Sequence, residues 1–258
     1  MAKPYNQIVL FGDSLFQLSS DINQGFSFQG ALQHVVMRGL DVINRGFSGY
    51  NTNNALQLLP QIFLPPAPTN PRIEYLLVLL GANDACLDTP TNTQRVPIDQ
   101  YKENLIRIIT HEHIKAHNPK ILLITPPPLD EMQSFVTDIE KGHKEPTRKA
   151  AVSAQYSETV RQVAAELPGT VLIDLQKALM GKAISLTPDY DPSGPLLGHE
   201  GGKRGALEQL LPDGLHMSGD AYRVLFGLVK PHISLPEDYF VYPDWRIMNP
   251  GNIDRIEN

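Results

Sequence analysis

Five residue types at four separate points of the chain could together carry out acyl transfer. They are Ser14 in VLFGDSLF, a glycine in NRGFSGYNT, Asn83 in GANDAC, and Asp213 with His216 in PDGLHMSGD. A serine hydroxyl is a weak nucleophile until a base takes its proton, and the base needs a third group to fix its tautomer. His216 is the histidine that meets the requirement, because its predicted strand-end loop precedes a helix and carries an acid. Asp213 lies three residues earlier, so a single turn can set its carboxylate against one imidazole nitrogen and leave the other for Ser14. The negative oxygen formed on attack needs hydrogen-bond donors. The backbone N–H groups of Ser14 and Gly49 and the side-chain amide of Asn83 are the candidates, and glycine lets the backbone approach closely. Gly46, in the same loop, is the alternative to Gly49.

These residues are useful only if the fold gathers them, and the hydrophobic pattern says how. Short apolar runs at 8–11, 40–43, 73–80, 120–125 and 170–175 read as strands. Longer amphipathic runs at 28–39, 52–63, 98–117, 150–167 and 218–230 read as helices; in the third, Tyr101, Leu105, Ile108 and Ile109 share a face. Nearly continuous apolar strands alternating with helices imply a parallel sheet covered on both sides. Right-handed crossovers then give an α/β fold, a three-layer α/β/α sandwich around a five-stranded flavodoxin-like sheet. In such a sheet ligands bind beyond the carboxyl ends of the strands. The first three strands run there into Ser14, the glycine loop and Asn83, and the fourth into Pro126-Pro127-Pro128. Segments 126–148 and 181–212 fall outside the rhythm, and 138–149 reads as a solvated connection. The expectation is one domain over 1–258, with 235–258 an irregular aromatic tail packed on it.

Composition narrows the partners. Of 258 residues 41% are hydrophobic and 19% charged, which suits a globular core. A net charge of −6 with scattered Lys and Arg argues against nucleic acid, whose phosphates require a basic stripe. No run approaches the ~20 apolar residues of a membrane span. One cysteine, Cys86, leaves no internal disulfide, and MAKPYNQ carries no apolar leader; both suggest a cytoplasmic protein. HEHIKAH (111–117) places His113 and His117 one helical turn apart, but Ile114 stands where a zincin requires glutamate, so a solvated helix end is the expectation. No metal or organic cofactor is called for.

FGDSL, NRGFSGYNT, GAND and DGLH, in this order and each at a predicted strand end, resemble the four motif blocks of the SGNH hydrolase (GDSL esterase/lipase) superfamily. The resemblance spans residues 11 to 216. It implies Ser14 as nucleophile, Gly49 and Asn83 as oxyanion donors, and Asp213 with His216 as the acid–base pair. RGFSGY, GANDAC, LPDGLHMSG and Asp244-Trp245-Arg246 are similar to the fungal isoamyl acetate-hydrolysing esterase group, which implies short-chain acyl esters as small-molecule substrates and a possible homodimer. A thioesterase, lysophospholipase or sugar deacetylase could use the same residues. A non-catalytic flavodoxin-like binding module would offer no reason for Ser, Asn, Asp and His to converge.

Overall fold

The structure, a computed structural model, describes residues 4–67 and 70–237. Its centre is one all-parallel sheet of β1 (Asn6–Gly12), β2 (Leu40–Gly46), β3 (Ile73–Leu79), β4 (Lys120–Ile124) and β5 (Thr170–Ile173), in the order β2-β1-β3-β4-β5. Every predicted strand is present to within a few residues. Continuous apolar sequence forms these strands because both faces are covered, and alternate residues go to opposite sides. Ile8 and Leu10 of β1, with Leu77, Leu122 and Ile173, face one core. Val9 and Phe11, with Leu76, Val78 and Leu123, face the other.

Helices complete the two outer layers. On the first side α2 (Phe28–Val35), α8 (Leu175–Ser185) and α10 (Gly219–Val229) bury Leu32, Leu179 and Leu225. On the second, α3 (Thr52–Ile62), α4 (Ile98–Ile109), α5 (Glu112–His117) and α7 (Ala150–Glu166) bury Leu59, Leu105, Ile114 and Val160. The remaining helices are short α1 (Ser14–Gln17), α6 (Glu131–Glu140) and α9 (Leu207–Leu210). The result is the expected three-layer sandwich.

Three expectations need correction. The helix predicted over 98–117 is broken: the Thr110 hydroxyl bonds back to the Ile106 carbonyl, and extended His111 starts α5, its ring accepting from the His113 N–H. Both helices keep their apolar faces inward, so periodicity alone sees one helix. Segment 126–148 contains α6, which is capped by Asp130. Segment 181–212 includes the end of α8 and all of α9. The aromatic residues expected to pack the tail lie at 239–245, outside the described residues.

The strand order reverses between β1 and β3, and the loops that follow both of them open at the same end. Gly12 pairs with Gly46 of β2 and Leu79 of β3, so three of the four motif blocks begin from one row of the sheet.

Candidate active site

Ser14 is placed by a sharp exit from β1. Asp13 caps α1, accepting from the Leu15 N–H at 2.8 Å, while its carbonyl accepts from the N–H groups of Phe16 and Gln17. Gly12 lets the end of β1 lie close against β3, because a Cβ there would stand 2.3 Å from the Leu79 carbonyl oxygen. Two further side chains brace the turn, Asn44 at the head of the NRGFSGYNT block and Tyr222, which lies outside the blocks. Asn44 donates to the Phe16 carbonyl at 2.7 Å, and the buried Tyr222 hydroxyl of α10 donates to the Leu15 carbonyl at 2.6 Å.

His216 reaches Ser14 across 202 positions of sequence: its Nε2 lies 2.9 Å from Ser14 Oγ. Its Nδ1 lies 2.6 Å from Asp213 Oδ2. An ionised carboxylate only accepts, so Nδ1 carries the proton and Nε2 accepts from the serine hydroxyl. Asp213 Oδ1 accepts from the backbone N–H groups of His216 at 2.7 Å and Leu215 at 3.0 Å. Partial burial works to raise the Asp213 carboxyl. The hydrogen bond and charge of the His216 ring and these two N–H donors outweigh it, holding the group well below the ordinary carboxylate range. Gly214 allows the loop to lie against α6, since a Cβ would sit 2.4 Å from the Ser134 nitrogen. The Thr137 hydroxyl of α6 also donates to the Asp213 carbonyl at 3.1 Å.

Asn83 follows β3 and is buried. Its Nδ2 donates to the Tyr50 carbonyl at 2.9 Å, which sets the amide beside the Gly49–Tyr50 segment. Gly49 has φ +81°, and the Gln94 amide holds its carbonyl at 2.7 Å. Among the described residues its N–H has no acceptor. Gly46 differs, because its N–H is committed to Asn44 Oδ1 at 2.9 Å. Gly49 is therefore the glycine of this loop with a donor to offer.

Beneath these loops lie two fully buried carboxylates, Asp13 and Asp84. Asp84 Oδ1 accepts from both the N–H and the hydroxyl of Thr52, tying the start of α3 to the Asn83 loop. The Oδ2 atom of each has no partner among the described residues. Burial pushes the Asp13 carboxyl up to about 7, with the Asp84 charge adding to the rise, and burial pushes Asp84 up to about 6. Both lie within the quoted blocks, Asp13 in FGDSL and Asp84 in GAND.

The other candidates resolve as structure. His117 is buried, accepting at Nδ1 from the Ile73 N–H and donating from Nε2 to the Leu64 carbonyl, while His113 donates to the Phe63 carbonyl. Both histidines clamp the end of α3, which corrects the expected solvated helix end. Cys86 is buried, and burial pushes its thiol up. Pro126, Pro127 and Pro128 are buried under the strand ends. Among the described residues no helix is long and apolar enough to cross a membrane.

A parallel doubly wound sheet with a hydrogen-bonded Ser–His–Asp chain at its carboxyl end is the arrangement of a serine-type ester hydrolase. Residues 10–224 match the model of the GDSL-like lipase/acylhydrolase family, and the chain belongs to that family. A GDSL esterase/lipase of Arabidopsis thaliana is 36% identical, with 71% of this chain and 79% of that one covered. The isoamyl acetate-hydrolyzing esterase 1 homolog of Rattus norvegicus is 32% identical over 93% of this chain and 87% of its own length. Among solved structures, the lipase/acylhydrolase from Enterococcus faecalis superposes with a TM-score of 0.59 at 23% identity, covering 90% of this chain and 99% of that one. The chain is thus a carboxylic ester hydrolase of the GDSL family.

Proposed function

We propose that the enzyme hydrolyses short-chain, acetate-type esters through an acyl-enzyme on Ser14. The observation that carries this reading is the continuous hydrogen-bonded chain from Ser14 through His216 to Asp213. Ser14 Oγ attacks the ester carbonyl as its proton passes to His216 Nε2, and Asp213 stabilises the imidazolium that results. The tetrahedral oxyanion takes hydrogen bonds from the N–H groups of Ser14 and Gly49 and from Asn83 Nδ2. His216 then returns the proton to the departing alcohol. Water activated by His216 attacks the acyl-serine and releases the acid. The acetate preference is supported by the rat relative and by the isoamyl acetate-hydrolyzing esterase of Saccharomyces cerevisiae, 28% identical over 85% of this chain and 82% of that one. Resemblance to the fungal enzymes also supports a homodimer, which light scattering reads directly.

The test is hydrolysis of p-nitrophenyl esters from acetate to palmitate by the wild type and Ser14→Ala. Expected is a rate highest at acetate or butyrate that falls more than about 10⁴-fold in the variant. A maximum at long chains would overturn the acyl assignment, and a rate unchanged in Ser14→Ala would overturn the mechanism.

A further inference from the structure

We propose that Arg148 is a positioning residue for Asn83, fixing and polarising the amide that binds the oxyanion; the proposal rests on the reading of Asn83 as an oxyanion donor. The guanidinium makes three hydrogen bonds. Nε donates to the Ala82 carbonyl at 3.1 Å, Nη2 to Asn83 Oδ1 at 3.0 Å, and Nη1 to Thr147 Oγ1 at 3.2 Å. Arginine has no acceptor, so the end of the Asn83 amide that faces it must be the oxygen. The other end meets the Tyr50 carbonyl, which can only accept. A donor-only group on one side and an acceptor-only group on the other permit a single orientation of the amide. That orientation turns Nδ2 toward the glycine loop. One of its two hydrogens goes to Tyr50, and the second has no acceptor among the described residues.

Arg148 is itself held from behind. Thr147, fully buried, gives both its N–H (2.7 Å) and its hydroxyl (2.9 Å) to the buried carboxylate of Asp138 on α6. The hydroxyl oxygen keeps a lone pair for Arg148. Thr137, the neighbour of Asp138, holds the Asp213 carbonyl. Consecutive residues of α6 thus brace the loop of the acid–base pair and, through Thr147 and Arg148, the oxyanion donor. A rigid frame matters here because a preorganised donor has no reorganisation cost as charge develops. The cation on Oδ1 also draws electron density from the amide and strengthens its N–H as a donor. Lysine cannot reproduce this, since its single ammonium lacks the planar fork that spans Ala82, Asn83 and Thr147 together.

The experiment is steady-state kinetics on p-nitrophenyl acetate for Arg148→Met, Arg148→Lys, Asn83→Ala and the double variant Asn83→Ala/Arg148→Met. Removing an oxyanion donor outright costs roughly 10²–10³ in turnover, which bounds the effect. Arg148→Met should lower kcat about 10- to 100-fold with KM within about threefold of wild type, and Arg148→Lys should recover little of the loss. If Arg148 acts through Asn83, the double variant is no slower than Asn83→Ala alone. Losses that multiply would overturn the inference, as would wild-type kcat in either Arg148 variant. Should the Met variant not fold, Arg148→Lys, which keeps charge and stem, decides the question by its kcat and KM. Failure of the esterase reading looks different: wild type and Ser14→Ala would then react equally.

Discussion

Asp213 fixes a tautomer, and that role separates geometry from charge. Asp213→Asn keeps a side chain able to accept from the Leu215 and His216 N–H groups, so the loop should stay folded. The amide can donate to Nδ1, which favours the tautomer with its proton on Nε2 and leaves Ser14 without a base. A loss of roughly 10⁴ in kcat is expected from kinetics. Calorimetry on the same preparation should show a single unfolding transition at a lower midpoint, because the amide gives up the stability that the depressed carboxylate contributes at neutral pH. The two loop glycines make a second residue-scale test. A Cβ at Gly46 would lie 2.1 Å from the Gln17 backbone nitrogen, whereas one at Gly49 meets only the Gln94 amide at 3.4 Å, with φ +81° to strain it. Gly46→Ala should therefore collapse soluble yield. Gly49→Ala should fold, at a cost of about 1–2 kcal/mol, and lose kcat. A stable, fully active Gly49→Ala would show that the loop keeps this N–H, which alanine retains, in place without glycine at φ +81°. Asp213 and His216 are legible in the sequence because PDGLH puts acid and base on one turn. Gly46 and Gly49 stay open there because spacing does not reveal which N–H is already committed.

Among elements, the strands were legible, whereas α1, α6, α8 and α9 lie outside the predicted helical runs. Strands buried on both faces must be continuously apolar, and that leaves an unmistakable run. α6 inverts the usual rule: it buries Ser134 and Asp138 and exposes Phe135, Val136 and Ile139, so its hydrophobic face points away from the body. It is held by polar contacts instead. Asp130, fully buried at its start, caps the Gln133 N–H and pairs with Arg204 at 2.6 Å, joining 126–148 to 181–212. The Asp130 N–H bonds to the Gly214 carbonyl, in the loop between Asp213 and His216. Arg204→Met would leave the Asp130 carboxylate in the interior without its cation, a change that costs about 3 kcal/mol or more. Urea denaturation should show that loss, and kcat should fall with it as the Asp213 loop loosens. If stability dropped while kcat held, α6 would support the fold without tuning the site.

For the whole molecule, the buried carboxylates Asp13 and Asp84, each with one oxygen lacking a partner among the described residues, shape how stability varies with pH. Asp13 is raised to about 7 from an ordinary 3.8, so between roughly pH 4 and 7 the folded chain holds a proton that the unfolded chain has released. Stability therefore falls as pH rises through that window and levels off above it. A rise of that size is worth on the order of a few kcal/mol. Asp84, raised to about 6, adds in the same direction. Asp213 has the opposite sign: its depressed carboxyl contributes stability that is present above pH 4 and lost as pH falls further. The most stable condition should thus lie near pH 4 to 5, on the acid side of neutrality. His111, lowered mainly by burial, contributes a slope opposite to that of Asp13 near its own titration, so the comparison must cancel other groups. Urea midpoints of wild type and Asp13→Asn at pH 4.5, 6, 7.5 and 9 do so. Asparagine can still accept from the Leu15 N–H, but it does not titrate. The wild-type midpoint should drop between pH 4.5 and 7.5, and the Asp13→Asn midpoint should drop by about half as much. Parallel curves for the two proteins would mean that Asp13 is ionised throughout, and its unpartnered oxygen would then have to be satisfied by solvent reaching the base of the nucleophile turn.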